Sequence, residues 1–538
     1  MTPDAAAAGG SGNFDPLVRP TLTDLYQLTM AYAYWRSGQH ERAAVFDLFF
    51  RRNPFGGEFT VCAGLDEAAR FVAGFRFGAE DLAALRGLMP GCDEAFFAWL
   101  ARVETSPVTI GAVPEGTLVF PREPLLRVEG PLALCQLLET TLLNLVNFPS
   151  LVATKAARMR LAAGHDVQLI EFGLRRAQGP DGAVSASRYS YVGGFDATSN
   201  VLAGQLFGIP VRGTHAHAYV SAFRGLGDLR ATTLLGPDGA PREFLARVLE
   251  FRAALGATGT SDGELAAFVA YAQAFPASFL ALVDTYDTMR SGVPNFLCVA
   301  LALAEAGYEP VGVRLDSGDL AHLSKQTRRH FAEVGARHGR PFGRLVILAS
   351  NEIDESVLLS LKQEGHEVNA FGIGTHLATC SSDPALGGIY KLVAIDGTPR
   401  IKLSEDTAKT TLPGKKEIWR LRGADGTPLL DLLAFADEAA PQPGGEILCC
   451  HPFDPSRRAR VIPATVERLL APAWRDGRRV AGPPLAAVRD RVRAQLRETR
   501  PDHLRPLNPT PYKVSVSERL YLETQEMLRA APHPDVLR

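Results

Sequence analysis

The chain has no C-x-x-C pair: its seven cysteines stand scattered at 62, 92, 135, 298, 380, 449 and 450. An odd, dispersed set builds neither a disulfide framework nor a thiolate zinc site, and it fits a reducing, cytoplasmic setting. A charge excess is lacking too, with 57 Lys+Arg against 59 Asp+Glu and a formal net charge of −2. Such a chain has no global pull toward nucleic acid or an anionic membrane, so neither is expected as a partner. Long apolar runs are missing as well. The most membrane-like stretch, LALCQLLETTLLNLVNF (132–148), is broken by Glu139, Asn144 and Asn147. A span needs roughly 20 predominantly apolar residues, so this stretch reads as a buried helix. The start, MTPDAAAAGGSGNFD, has no basic n-region and reads as a disordered tail over residues 1–13. What is left is a soluble globular chain of 538 residues, enough for one large domain or two to three ordinary ones.

From about residue 165 the chain repeats one unit: a short apolar run, a polar cluster, then a helix-like stretch. VQLIEFG (167–173) ends in LRRAQGPDG, IPV (209–211) in RGTHAHAY, and FLALVD (279–284) in TYDTMRSG. PVGV (310–313) ends in RLDSGD, RLVILAS (344–350) in NEIDE, and EVNAFGIG (367–374) in THLATC. Runs this short, apolar throughout and separated by helices, mark parallel strands buried on both faces. A doubly wound sheet and a (β/α) barrel both satisfy the pattern. The barrel is favoured because every polar cluster lies at a strand's C-terminal end, the face on which barrel enzymes build sites. Residues 14–150 instead mix helices such as LTDLYQLTMAYAYWRSG with strand-like pieces such as AAVFDLFFRR, and read as an α+β domain. The barrel is assigned to 151–390 and a hairpin-rich remainder to 391–538, with turn signals at the Asp-Gly pairs 396–397 and 425–426. The arginine-rich stretch 457–500 is balanced by acids and reads as a solvated helical surface.

The clusters carry the chemistry. In FGIGT, Gly372 and Gly374 permit close backbone approach and Thr375 offers a hydroxyl beside helical N–H groups, a phosphate cradle or a tight strand-to-helix turn. Ser350 and Asn351, at the end of the preceding strand, join it as phosphate candidates. Arg175 and Arg176 follow another strand, as an anion grip or a solvent-facing pair. Asp284, Asp287, Asp316 and Asp319 stand at helix starts, where the alternative to sugar or Mg²⁺ binding is an N-cap; that alternative is expected for Asp287 and Asp319. His215 and His217 share a face of an extended chain, so spacing cannot choose between them. No third ligand stands near them at zinc-like spacing, and no protein-built metal centre is expected.

Eight motifs in order, TDLYQLTM, EFGLRRAQGPDG, GGFDATSN, GTHAHAY, VDTYDT, VRLDSGD, FGIGT and LNPTPYKVSVSERL, resemble the nicotinate phosphoribosyltransferase family from about residue 17 to 530. The resemblance implies an irregular type II phosphoribosyltransferase α/β barrel, an N-terminal α+β domain completed by C-terminal segments, and a cytoplasmic homodimer with active sites between subunits. It implies transfer of 5-phosphoribosyl from its diphosphate (PRPP) to nicotinate, the first step of NAD synthesis from nicotinate. ATP is the implied co-substrate, Mg²⁺ or Mn²⁺ the metal, and a phosphohistidine the coupling device. Residue by residue, Tyr26 matches a pyridine-stacking aromatic reaching across the dimer, and Phe172 with Arg175 a stacking and anion-binding pair. Thr214 and Arg314 match nicotinate contacts, His217 the phosphorylated histidine, and Thr375 the phosphoribosyl-phosphate contact. Asp196, Asp284 and Asp316 match acids around base and ribose. Where the family has an apolar residue in G-T-x-A-H, this chain has His215, a second imidazole beside the expected phosphate acceptor, His217. Lys391, Lys402 and Lys415 are further diphosphate candidates.

The nearest rival is the nicotinamide-using relative, for which Asp196 speaks. A barrel enzyme on another sugar phosphate would need a Schiff-base lysine at a strand end or a dominant acid pair, and neither is seen. A non-catalytic sensor would have no reason to keep Arg314, Asp316, His217 and Thr375 together.

Overall fold

All but one of the apolar runs form short parallel strands in the computed structural model, which describes residues 16–402 and 409–530; the expected 1–13 tail lies outside them. The strands are β1 (Gln168–Glu171), β2 (Ala197–Thr198), β3 (Leu280–Leu282), β4 (Gly312–Leu315), β5 (Val346–Ser350) and β6 (Ala370–Ile373). They pair in the order β3-β4-β5-β6-β1-β2, all parallel. Read around a circle this is plain chain order, with no reversal point such as a doubly wound sheet has. The circle is open only between β2 and β3, and residues 209–217 lie across the opening. Val211 bridges to Thr198 of β2, and the His215 ring accepts the Leu282 N–H of β3 at 3.3 Å. IPV, read as a full strand, therefore makes one isolated bridge: Pro210 has no N–H to donate to a ladder. The barrel is irregular at this point for that reason.

Strand alternation sorts the side chains. Val313, Leu315, Ile347, Ala349, Phe371 and Leu169 are fully buried on one face, while Ile170, Ala197, Leu348 and Ala370 form a cluster on the other, with Phe172 packed on it. Helices follow the strands as expected: Val293–Glu305 is buried almost throughout, and Leu320–Arg337 starts at Asp319, whose carboxylate accepts the His322 N–H at 2.9 Å. Asp287 likewise takes the Met289 and Arg290 N–H groups, so both acids expected as caps are caps.

The chain divides into two units, one of residues 158–191 and 195–381, the other of 1–157, 192–194 and 382–538. The seams expected at 150/151 and 390/391 thus fall at 157/158 and 381/382. The first lies inside the helix Glu139–Ala163, which continues past its internal Pro149 instead of ending there. In the second unit, Ala43–Phe50 pairs antiparallel with Leu126–Pro131 and with Gly388–Ile395, so early and late segments share one sheet. The Asp396-Gly397 turn has positive φ at both residues, 47° and 76°, the conformation a two-residue hairpin demands. A second sheet contains Lys416–Arg422, Pro428–Phe435 and Val514–Ser517. Two buried ion pairs tie this unit: Lys416 to Asp47 at 2.8 Å, and Arg420 to Asp431 through 2.9 and 2.7 Å bonds.

Candidate functional site

The register explains which side chains meet. Arg314 pairs with Leu348, so two residues further on, Asp316 and Ser350 again share the inward face, and Gly372 lies opposite Ser350 and Ile170. Arg314 Nε donates to Ser350 Oγ at 2.7 Å and its Nη2 to Asp316 Oδ1 at 2.8 Å. Ser350 Oγ also donates to Asp316 Oδ1. Burial works against the charged form of Asp316, but the Ser350 hydroxyl and the Arg314 guanidinium outweigh it and hold the carboxyl below its usual range. The guanidinium lies 5.3 Å from the centroid of the Phe172 ring, a cation–π contact. A planar cation and a flat ring thus stand side by side at the rim.

The next carboxylate follows from the same ladder. Asp284 stands two residues past Leu282, the partner of Arg314. Its side chain is 1% exposed, and Oδ2 accepts the Asp316 N–H at 2.9 Å and the Ser317 hydroxyl at 2.5 Å. Oδ1 is buried without a hydrogen-bond partner. It faces His217 Nε2 at 4.0 Å, and Asp316 Oδ2 faces the same nitrogen at 3.7 Å. The other ring nitrogen, Nδ1, lies 3.2 Å from Thr285 Oγ1.

The two histidines, indistinguishable by spacing, part here because the backbone turns into the helix His217–Ser221 between them. His217 is 45% exposed at the rim. His215 is buried among Tyr219, Phe268 and Tyr271, and burial pushes its pKa down to about 4. Its ring helps to close the barrel by accepting the Leu282 N–H.

Other assignments are redistributed. Thr375 heads the turn after β6, at the same rim, but the two glycines of FGIGT serve a different purpose from a bare cradle. A Cβ on Gly372 would lie 2.3 Å from the Phe172 ring, and one on Gly374 would lie 3.1 Å from the Phe172 carbonyl. The glycines make room for Phe172. Asn351 is exposed with φ +148°, strain of the kind that gathers at functional loops. Thr214 is half-buried next to His215, and Arg175 is exposed beyond β1 with no side-chain bond to the cluster. Tyr26 belongs to the other unit, 47% exposed on the helix Leu25–Arg36. Lys415, there too, pairs with Glu129 at 2.7 Å.

Asp196 is corrected. It precedes β2 instead of following it, accepts the Leu169 N–H at 2.8 Å and pairs with Arg160 at 2.5 Å. It therefore sits down the ladder from the rim, as a strand-entry anchor. The acid at the end of β1 is Glu171, 1% exposed, which accepts Ser187 Oγ at 2.7 Å, Thr198 Oγ1 at 2.6 Å and the Gly173 N–H. An acid inside the apolar run VQLIEFG was the signal for it.

The chain matches the nicotinate phosphoribosyltransferase (NAPRTase) N-terminal domain over residues 21–147, the NAPRTase family over 167–428 and the C-terminal domain over 415–523. It is 53% identical over 524 residues to nicotinate phosphoribosyltransferase 2 of Arabidopsis thaliana, covering 95% of this chain and 94% of that one. Against the nicotinate phosphoribosyltransferase of Homo sapiens the identity is 50% over 514 residues, covering 93% and 95%. The crystal structure of human nicotinic acid phosphoribosyltransferase superposes with a TM-score of 0.85 at 47% identity, over 94% of this chain and 99% of that one. A nicotinate-nucleotide pyrophosphorylase from Pyrococcus furiosus superposes at 0.59 and 22% identity, over 89% and 95%, a likeness of fold.

Proposed function

The chain belongs to the nicotinate phosphoribosyltransferase family, and from that premise we propose that it joins nicotinate to the 5-phosphoribosyl group of PRPP, with ATP cleaved through His217. The observation that carries this is the unbroken contact chain Phe172–Arg314–Asp316–His217 at one rim. Phe172 offers the pyridine a ring to stack on, and the remaining Arg314 donors suit its carboxylate. The pyridine nitrogen attacks the anomeric carbon as the bond to diphosphate breaks, and the sugar gains positive charge. Asp284 and Asp316 would supply fixed negative charge to stabilise it. Gly374, Thr375, Ser350 and Asn351 would take the phosphate groups from the ends of β5 and β6.

His217 has a defined polarity. Two carboxylate oxygens at 3.7 and 4.0 Å favour the proton on Nε2. That leaves the Nδ1 lone pair, directed at Thr285, as the nucleophile. It takes the γ-phosphoryl of ATP and releases ADP, and water later cleaves the N–P bond to give phosphate. Among the described residues no cluster of three or more ligands could hold a metal alone. Asp284 Oδ1, buried without a hydrogen-bond partner, and the neighbouring Asp316 carboxylate would suit a Mg²⁺ or Mn²⁺ that arrives with substrate phosphates. Bound there, it would neutralise charge on the departing diphosphate. Exposed Tyr26, with Leu22 and Leu25 beside it, suits contact with a second copy of the chain and its site. A cytoplasmic location accords with free cysteines and with the absence, among the described residues, of a helix long and apolar enough to cross a membrane.

The test is a product assay with nicotinate and nicotinamide, with and without ATP. Preference for nicotinate and ATP stimulation are expected, and His217→Ala abolishes the stimulation while retaining basal transfer. Equal use of both bases sinks the Arg314 argument; loss of stimulation in His215→Ala with His217→Ala unaffected sinks the choice of histidine. With Asp196 tied to Arg160, the feature that favoured the carboxamide is gone.

A further inference from the structure

Asp284, Thr285 and His217 come from two loops, and their relative position has to be set by something outside both. The helix Asp262–Ala274 touches each loop. Its first turn carries Glu264, 0% exposed, whose Oε2 accepts Ser291 Oγ at 2.6 Å and Asn295 Nδ2 at 3.0 Å. Ser291 Oγ in turn accepts the Ser261 N–H at 3.0 Å, and Asn295 Oδ1 accepts Thr260 Oγ1 at 2.6 Å. Arg252 closes the network by donating to the Thr260 carbonyl at 2.6 Å. Every member is in or beside the core, and Glu264 is near enough to Asp284 for that charge to add to burial in raising the Glu264 pKa.

Ser291 belongs to the segment that leaves β3 through Asp284 and Thr285. That segment makes a single π turn, Thr288–Gly292, and comes back on itself: a Cβ on Gly292 would lie 1.8 Å from the Val283 carbonyl. One-turn π segments gather at functional sites. The loop is therefore pinned where Gly292 meets Val283 and where Ser291 meets Glu264. The same helix also backs the histidine loop. Tyr219 donates to the Ala267 carbonyl at 3.4 Å, Tyr271 packs on His215 at 4.8 Å, and Gly263 fits under the Phe223 carbonyl, where a Cβ would lie 2.4 Å away.

We propose that Glu264 is a positioning residue: through Ser291 it fixes the Asp284–Thr285 loop against the His217 loop, and so sets the imidazole for phosphoryl transfer. The inference rests on the His217 reading above and deepens it. A shift of about 1 Å in a reacting group costs up to about 100-fold in rate. Nicotinate is held by Phe172 and Arg314, which no member of the network touches.

The experiment measures transfer with and without ATP, and KM for nicotinate, in Glu264→Ala, Glu264→Gln and Ser291→Ala. Gln273→Ala is the matched control, since it loses two 3.0 Å bonds to the 231 and 233 carbonyls at the far end of the same helix. Glu264→Ala and Ser291→Ala should lower the ATP-stimulated over basal ratio by about 10-fold or more, with KM for nicotinate within about twofold. Glu264→Gln, which keeps one acceptor for Ser291, should recover part of the ratio, and Gln273→Ala should lower Tm alone. An unchanged ratio in Glu264→Ala, or an equal fall in Gln273→Ala, overturns the positioning role. A wild type that ATP does not stimulate overturns the phosphohistidine reading first and this inference with it.

Discussion

Asp431 and Asp284 are both buried carboxylates, and they are satisfied in opposite ways. Asp431, 0% exposed, is gripped by the Arg420 fork and takes the Tyr512 hydroxyl at 3.0 Å. Burial raises its proton affinity, but the Arg420 charge and bonds prevail and hold it below the usual carboxylate range. Asp284, 1% exposed, is satisfied on one oxygen only; the other points at a half-exposed imidazole 4.0 Å away. An unmade bond on a buried charge costs free energy. Asp47 Oδ1 and Glu264 Oε1 are equally without a partner, so it is the place of Asp284 beside His217 and Asp316, together with its open oxygen, that sets it apart from Asp431 as a candidate for ligand contact.

The largest expected effect tests the saturated side. Asp431→Ala takes both fork acceptors from the buried Arg420 and leaves it with the neighbouring Glu123 carboxyl; removal of one partner of a buried pair costs up to about 3–5 kcal/mol. Thermal or denaturant unfolding should show that loss, while kcat per folded enzyme stays unchanged. Should the alanine variant fold too poorly to assay, Arg420→Met with Asp431→Leu, which removes both charges, is expected to recover much of the stability with normal kcat. An Asp431→Ala enzyme of normal Tm but altered nicotinate KM would erase the distinction between the two carboxylates.

The next effect tests the open side. Arg314→Ala should lower kcat/KM for nicotinate by about 100-fold, roughly 2.7 kcal/mol, and far less for nicotinamide, which has no carboxylate to lose. Tm should change little beside that of Asp431→Ala. Arg314→Lys should recover only part, because an ammonium cannot reproduce the planar fork that also reaches Ser350 and Asp316. Equal losses for both bases would mean that Arg314 acts only through Asp316.

The chain order of the motifs, the barrel, and the rim acids and cation were legible because charge directly after a buried apolar run has few places to go. What was not legible depended on contacts across long sequence separations. Gly372 looked like a phosphate cradle, yet its missing Cβ is required by Phe172, two hundred positions earlier. Asp196 was expected near the base through its family motif alone, and its ties to Arg160 and to the Leu169 N–H, ahead of a two-residue β2, join segments that sequence does not connect. His215 and His217 looked equivalent under strand alternation, which fails where the chain enters a helix between them. Glu264 lies in a helix with no strand end near it in sequence, so nothing local announced it.

The smallest effect separates charges within one motif, VRLDSGDL, whose Arg314, Asp316 and Asp319 look alike on paper. Asp319 Oδ1 takes the His322 N–H at 2.9 Å and its carbonyl takes the Leu323 N–H at 2.8 Å, so the residue starts the helix Leu320–Arg337 and is used up there. Asp319→Ala should cost about 1 kcal/mol of stability, the ordinary worth of an N-cap, and Asp319→Asn, which can still accept, much less. Neither should move kcat or KM for nicotinate or PRPP. A kinetic effect of Asp319→Ala comparable to that of Arg314→Ala would mean that the cap also faces substrate; a fall in Tm with intact kinetics assigns the third charge of the motif to the scaffold and leaves Arg314 and Asp316 to the chemistry.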